Sequence, residues 1–352
     1  LKKTLYLKVN PQKPEAEKIQ IAADIIKRGG LVAFPTETVY GLGADAFNEE
    51  AVKQLFAAKN RPLDNPPIIH VADSSQIQKL AKEVPPVAEA LMSKFWPGPL
   101  TLVFKRSSNV PKETVAGLDT VAIRMPNHPV ALALIRKSGC PIAAPSANLS
   151  GKPSPTTAKH VLDDLEGRID AVLDGNDTSV GVESTVLDLS VEPPMLLRPG
   201  GTSLEALREV LGVVVVHPFV ISEKELALKE TRSPGMMHKH YAPKAQVVLI
   251  EGEQAAVEKK IKELTQSYRQ SGCKVGVLAT IETAQNVEAD VVKLMGSQEN
   301  LASVAHSLFG LLREFDVEGV DVIVAEGVSS EGLGLAVMNR LRKASGYHII
   351  KA

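Results

Sequence analysis

An arginine closes an otherwise apolar run in Thr120-Val-Ala-Ile-Arg-Met-Pro126, and a guanidinium buried there needs an anionic partner. For Arg124 that partner is a protein carboxylate such as Asp119, or the carboxylate or phosphate of a substrate. Three further segments have the same character: polar or basic residues follow a strand, in loops stiffened by Pro or Gly. Phe34-Pro-Thr-Glu-Thr-Val-Tyr-Gly-Leu-Gly43 offers hydroxyls, Thr38 among them, and close backbone approach; it also reads as a capped turn into the next helix. Lys59-Asn-Arg-Pro-Leu-Asp-Asn-Pro-Pro-Ile-Ile-His70 sets Lys59 and Arg61 at a helix end, where two cations either complement the helix dipole or hold a triphosphate. His70 ends an apolar strand, a position more often filled by a hydrogen-bonded wall residue than by a ligand or base. Ala143-Ala-Pro-Ser-Ala-Asn148, then Ser150, Gly151 and Ser154, suits an anion cradle and equally a run of turn residues. Gly181-Val-Glu-Ser-Thr185 and Arg198-Pro-Gly-Gly201 add hydroxyls and another cation. In open α/β sheets ligands bind at the carboxyl ends of strands, so these loops are expected to wall one pocket.

Other chemistries lack their residues. The sequence has no Gly-x-x-x-x-Gly-Lys-Ser/Thr run, no Gly-x-Ser-x-Gly and no His/Cys set at zinc spacing; His238-Lys-His240 supplies two histidines only. Its two cysteines, Cys140 and Cys273, are too few for a disulfide framework and read as reduced thiols of a cytoplasmic protein. Formal net charge is −1 and both halves are balanced, so bulk electrostatic capture of nucleic acid is not written into the composition. The start has no apolar signal-like stretch and the aliphatic runs are strand-sized, which argues against secretion and membrane insertion.

The elements that must position these residues alternate along the chain. With 352 residues, two domains are expected. Aromatics are only 4%, leaving Val, Ile, Leu and Ala to fill buried strands. Strands are expected over 5–9, 31–34, 68–71, 100–104, 121–124, 142–144, 171–173, 184–189 and 195–197. Helices are expected around 19–26 and over 49–59, 84–95, 129–138, 157–165 and 203–211. Some strands follow one another without a helix, so the sheet is read as mixed, twisted and open, with surrounding helices. The pattern breaks over 217–244, read as a linker or strap. A smaller Rossmann-like α/β domain follows over 245–352, without a Gly-x-Gly-x-x-Gly turn, leaving 1–216 as the catalytic domain.

Taken together, these segments resemble the YrdC-like family in its two-domain form, the threonylcarbamoyl-AMP synthases. The resemblance runs through Pro-Thr-Glu-Thr-Val-Tyr-Gly-Leu at 35–42, Lys-x-Arg at 59–61 and Ser-x-Asn at 146–148. It continues through Ser-Pro-Gly-Met-Met-His-Lys-His-Tyr-Ala-Pro at 233–243 and Gly-Leu-Ala-Val-Met-Asn-Arg-Leu-Arg-Lys-Ala at 334–344. It implies that threonine and bicarbonate give a carbamate, which attacks the α-phosphate of ATP to yield threonylcarbamoyl-AMP and pyrophosphate. It further implies that a partner transferase complex places the group on an adenosine beside the tRNA anticodon, with weak tRNA binding here an open question. By resemblance, Thr38, His70, Arg124 and Ser184, with backbone near Ala144, bind threonine, Arg124 pairing with its carboxylate. Lys59, Arg61, Asn65, Thr120, Ser146, Asn148, Ser154 and Arg198 stand on the ATP side, with His238 of the strap over the nucleotide and His240 and Tyr241 nearby. Mg2+ is expected to arrive on the ATP phosphates, because no carboxylate cage is visible. Two rival readings remain: an RNA-binding module, and an enzyme making a carbamoyl-adenylate from carbamoyl phosphate.

Overall fold

The computed structural model describes residues 3–222, 224 and 240–352. These divide into two compact units, one comprising 3–150 and 154–220, the other 240–352 with the short segments 151–153 and 221–222 and residue 224. Part of the expected strap at 217–244, including His238, lies outside the described residues.

In the first unit eleven strands form one sheet: β1 (Leu5–Lys8), β2 (Val32–Phe34), β3 (Gly41–Asp45), β4 (Ile69–His70), β5 (Leu100–Lys105), β6 (Thr120–Arg124), β7 (Ile142–Ala143), β8 (Ala171–Asp174), β9 (Thr185–Asp188), β10 (Met195–Arg198) and β11 (Val215–Val216). Their order is β1-β8-β2-β3-β7-β4-β6-β5-β9-β10-β11, with parallel and antiparallel neighbours mixed. Helix α1 (Ala16–Lys27) buries Ile19, Ala22, Ala23 and Ile26 at helical spacing. Those side chains join Val130, Ala131, Leu134 and Ile135, together with Val32, Phe34 and Leu173 of the sheet, in one core. A second helix, α2 (Glu49–Lys59), is capped by Asn48, whose side chain accepts from Ala51 N–H, and ends at Asn60 with φ 51°.

Strand β3 was not among the expected strands, because Gly41 and Gly43 lower the β propensity of their segment. Packing demands the glycine at 43: a Cβ there would sit 2.7 Å from Ile142 Cγ2 and 2.9 Å from the Phe34 ring.

Strand register assigns opposite characters to the two faces in the middle of the sheet. One cross-strand row reads Leu196, Leu187, Leu102, Ile123, Ile69, Ala143, Ala44, all apolar and all buried. The adjacent row, pointing to the other face, reads Arg198, Val186, Thr101, Arg124, His70, Ile142, Asp45. Arg198 would share the face of Leu196, two residues before it. An irregularity in the β9–β10 pairing between Leu196 and Arg198 brings it opposite Val186 instead, which is how a bulge re-aims a side chain.

The second unit is a five-stranded parallel sheet of β12 (Gln246–Glu251), β13 (Val275–Ala279), β14 (Val291–Leu294), β15 (Val322–Glu326) and β16 (Ile349–Lys351), in the order β14-β13-β15-β12-β16. Helices over Gln254–Gln270, Leu301–Glu318 and Gly334–Ala344 connect its strands. At its centre Glu326 is fully buried, its carboxylate accepting from Thr280 N–H, Thr280 Oγ1, Thr283 Oγ1 and Gln298 Nε2.

Candidate active site

Five residues singled out in the sequence, Arg124, His70, Ser184, Arg198 and Thr38, come together on the polar face of the first unit. Arg124 and His70 are register partners on β6 and β4, and Thr101 of β5 stands opposite Arg124. Thr101 Oγ1 lies 2.7 Å from Ser184 Oγ, and Arg198 donates to Ser184 through Nη2 to Oγ (3.1 Å) and Nε to the carbonyl (3.0 Å). The fifth, Thr38, arrives from the loop between β2 and β3. Thr36 folds that loop: its Oγ1 accepts from the N–H of Thr38 and Val39 and donates to Val39 O. Buried Tyr40 anchors its far side, donating to Asn176 O at 2.7 Å. The loop so formed lies over the polar face, where Arg124 Nη1 donates to Thr38 Oγ1 at 2.9 Å.

Arg124 has its protein carboxylate, and it is Glu37 rather than Asp119. Nη2 lies 2.7 Å from Glu37 Oε1, with both side chains less than a tenth exposed. That contact is an ion pair without hydrogen-bond geometry. Nη2 and both Glu37 oxygens are buried and take no hydrogen bond among the described residues. Nε of Arg124 donates to Gly98 O at 3.1 Å, so the guanidinium is fixed on two other sides.

His70 is uncharged. Burial above all, with Arg124 beside it, holds its pKa down to about 3, and Nδ1 meets Ile68 O at 3.1 Å. Its ring stands edge-on to Phe34, with centroids 6.1 Å apart. It is a fixed, neutral member of this polar face.

From the row of Arg124, the same face continues toward the starts of β4 and β6. Ala144 spends its N–H on Ile68 O, and Ile68 and Ala122 pack with Val103, Val186 and Leu197 as an apolar floor. Thr120 stands two residues beyond Ala122 on this face, paired with Lys105, roughly 13 Å from Arg124 at about 3.3 Å per residue. Ser146 lies two residues beyond Ala144 in the same direction, bridged to Gly41.

The cations on this side are anchored. Buried at the last position of α2, Lys59 directs its ammonium to the carbonyls of Ser146 and Asn148. Arg61 donates to Asn65 O (2.9 Å) and Pro66 O (3.2 Å) and lies over the Phe56 ring. Asn65 is buried, and its Oδ1 takes no hydrogen bond among the described residues. Ser154 Oγ donates to Glu183 Oε1 at 2.6 Å. Among the described residues no group of three or more His, Cys, Asp or Glu could hold a metal ion, and no helix is long and apolar enough to cross a membrane.

Two strap candidates are described within the second unit. Tyr241 packs on Phe309 with centroids 5.2 Å apart, beneath Arg340, and His240 packs against Tyr241. His238 lies outside the described residues.

Sequence reasoning passed over Glu37, Thr101 and Glu183. Glu37 stood inside a motif read for its hydroxyls and glycines, and Thr101 inside a strand read as core. A signal existed for Thr101: a hydroxyl amid Leu100, Leu102 and Val103 needs a buried partner.

Comparison with known proteins gives a consistent result. Residues 24–200 match the Sua5, YciO and YrdC family, described as "Telomere recombination", and residues 202–346 match the threonylcarbamoyl-AMP synthase C-terminal domain. The chain is 54% identical over 337 residues to the threonylcarbamoyl-AMP synthase of Pyrococcus abyssi, covering 96% of each chain. It is 50% identical over 336 residues to that of Bacillus subtilis, covering 95% of this chain and 94% of the other. The crystal structure of P. abyssi Sua5 complexed with L-threonine superposes with a TM-score of 0.95 at 52% identity, covering 99% of this chain and all 100% of that one.

Proposed function

Because this chain belongs to the Sua5, YciO and YrdC family in its two-domain form, we propose that it makes L-threonylcarbamoyl-AMP from L-threonine, bicarbonate and ATP. The observation that carries the reading is the cross-sheet row of Arg124, His70, Thr101 and Arg198, with Thr38 and Ser184 bonded to it. A fixed guanidinium, a neutral histidine and hydroxyls suit a small amino acid. A lysine anchored at the Ser146 and Asn148 carbonyls, with Arg61 held at Asn65 and Pro66, suits a phosphate chain stretched along the same face.

In this scheme threonine lies at Thr38, His70, Arg124, Ala144 and Ser184, its carboxylate on Arg124. Its amine displaces hydroxide from bicarbonate, releasing water overall and leaving a carbamate. One carbamate oxygen attacks the α-phosphorus of ATP, the bond to the β-phosphate oxygen breaks, and pyrophosphate leaves. The enzyme is then a nucleotidyltransferase. Lys59, Arg61, Asn65, Ser146, Asn148, Ser154 and Arg198, with Thr120 at the far end of the face, hold the nucleotide, and His238 of the strap completes its cover. Positioned cations and hydroxyls stabilise the charge that builds on the phosphorus, and no covalent nucleophile is needed. Mg2+ travels with the ATP phosphates as part of the substrate. The product passes to a transferase acting on tRNA, in the cytoplasm, and the domains divide at 1–216, 217–244 and 245–352.

Pyrophosphate release from ATP tests this, with bicarbonate present and threonine, serine or no amino acid added. Threonine-dependent release is expected; release indifferent to the amino acid, or none, counts against it.

A further inference from the structure

We propose that Glu37 binds the ammonium group of the amino-acid substrate, an assignment that rests on the function proposed above. Buried polar atoms in a native structure are nearly always hydrogen-bonded, so those that are not call for an explanation. Here three such atoms meet at one point. Both Glu37 oxygens and Arg124 Nη2 are buried without hydrogen bonds, and Nη2 and Oε1 face each other at 2.7 Å. Oε1 is engaged by that ion pair, whereas Oε2 has neither a hydrogen bond nor an ion pair among the described residues, so a buried acceptor is left open beside a guanidinium.

An α-amino acid carries the complementary pair, a carboxylate and an ammonium on one carbon. Its carboxylate takes the Arg124 donor and its ammonium takes the Glu37 oxygens, so both charges of the zwitterion are matched. The surroundings favour Glu37 for the second role. Thr38 Oγ1 already accepts from Arg124 and touches Thr36 Oγ1 at 2.8 Å. Glu183, also a buried carboxylate nearby in sequence to Ser184, takes the Ser154 hydroxyl. The Glu37 backbone is fixed, its carbonyl accepting from Val180 N–H at 2.7 Å, so the carboxylate is presented rather than mobile. Held this way, the substrate nitrogen is set at a defined point, where it passes one proton to a Glu37 oxygen and attacks bicarbonate as the free amine; ligands without an amine are disfavoured because Glu37 Oε2 is left unpaired.

The test is a binding comparison without ATP, by calorimetry, between L-threonine and 3-hydroxybutyrate, which is threonine lacking the amine. The wild-type protein is expected to prefer threonine by more than about tenfold. In Glu37→Gln that preference should shrink to within about threefold, and in Glu37→Asp it should partly return. A residue that merely holds the loop would weaken both ligands alike and leave the ratio unchanged. An unchanged ratio in Glu37→Gln overturns the assignment while leaving the proposed function standing. A wild-type protein that binds both ligands equally overturns it too, without reliance on any variant folding. Failure of the wild type to bind threonine at all would instead sink the function from which the assignment proceeds.

Discussion

Replacing Arg124 by methionine keeps an unbranched apolar stem, though a shorter one, and removes the charge that faces Glu37. The ion pair is buried on both sides, and Arg124 is the one cation paired with Glu37 among the described residues. Stripping one partner from such a pair costs about 3–5 kcal/mol, because the remaining charge is stranded away from water. The same change leaves Gly98 O without its donor, whereas Thr38 Oγ1 keeps Thr36. Making the carboxylate neutral as well should recover part of the loss. The double variant Glu37→Gln, Arg124→Met is therefore expected to be about 2 kcal/mol more stable than Arg124→Met alone. Trp96, the single tryptophan of the chain, reports on this unit and donates to Leu100 O close to Gly98. With a urea slope of about 2 kcal/mol per molar, its fluorescence midpoint should rise by about 1 M from single to double variant. A double variant no more stable than the single would refute the reasoning, since it would mean that Glu37 does not depend on the arginine charge.

Other expectations follow from the same geometry. In Gly200→Ala the new Cβ would sit 2.3 Å from Glu183 O, Ser184 C and Thr185 N, all backbone. Threonine affinity should fall along with about 1–3 kcal/mol of stability, and unchanged calorimetric binding would contradict the close approach at Ser184. His70 stays neutral in the fold down to about pH 3 but takes up a proton at about 6.5 when unfolded, so its contribution is lost as pH falls through that window. The loss is up to about 1.4 kcal/mol per pH unit. His70→Gln should flatten that part of the urea-midpoint profile, and parallel profiles would refute it. Lys59→Ala should abolish turnover and, by freeing two carbonyls, speed amide exchange over 146–150, whereas unaltered exchange would show that the ammonium does not tether the loop.

How much of this could be read in advance depended on whether the cause was local. The helix over 49–59 follows from its own periodicity and cap, and the mixed sheet from strands that succeed one another without helices. Arg124, His70 and Arg198 were conspicuous because each closes or follows an apolar strand. What unites them was not visible: they share one cross-strand row, and register is set by pairings between residues far apart in sequence. Strand ends were expected to be the common feature. With neighbours running antiparallel, the shared feature is a face. Arg198 reaches that face only through an irregularity in strand pairing, which no alternation pattern reveals. Asp119 was the nearest carboxylate in sequence to Arg124, but a loop that folds over the sheet brings Glu37 to it from 87 positions away.

The central claim is that a carbamate of threonine, and not threonine itself, is joined to AMP. Incubation with carbon-13 bicarbonate, threonine and ATP, followed by mass spectrometry of the nucleotide product, tests it directly. The account predicts threonylcarbamoyl-AMP carrying one labelled carbon; an unlabelled threonyl-adenylate, or no adenylate at all, would contradict it.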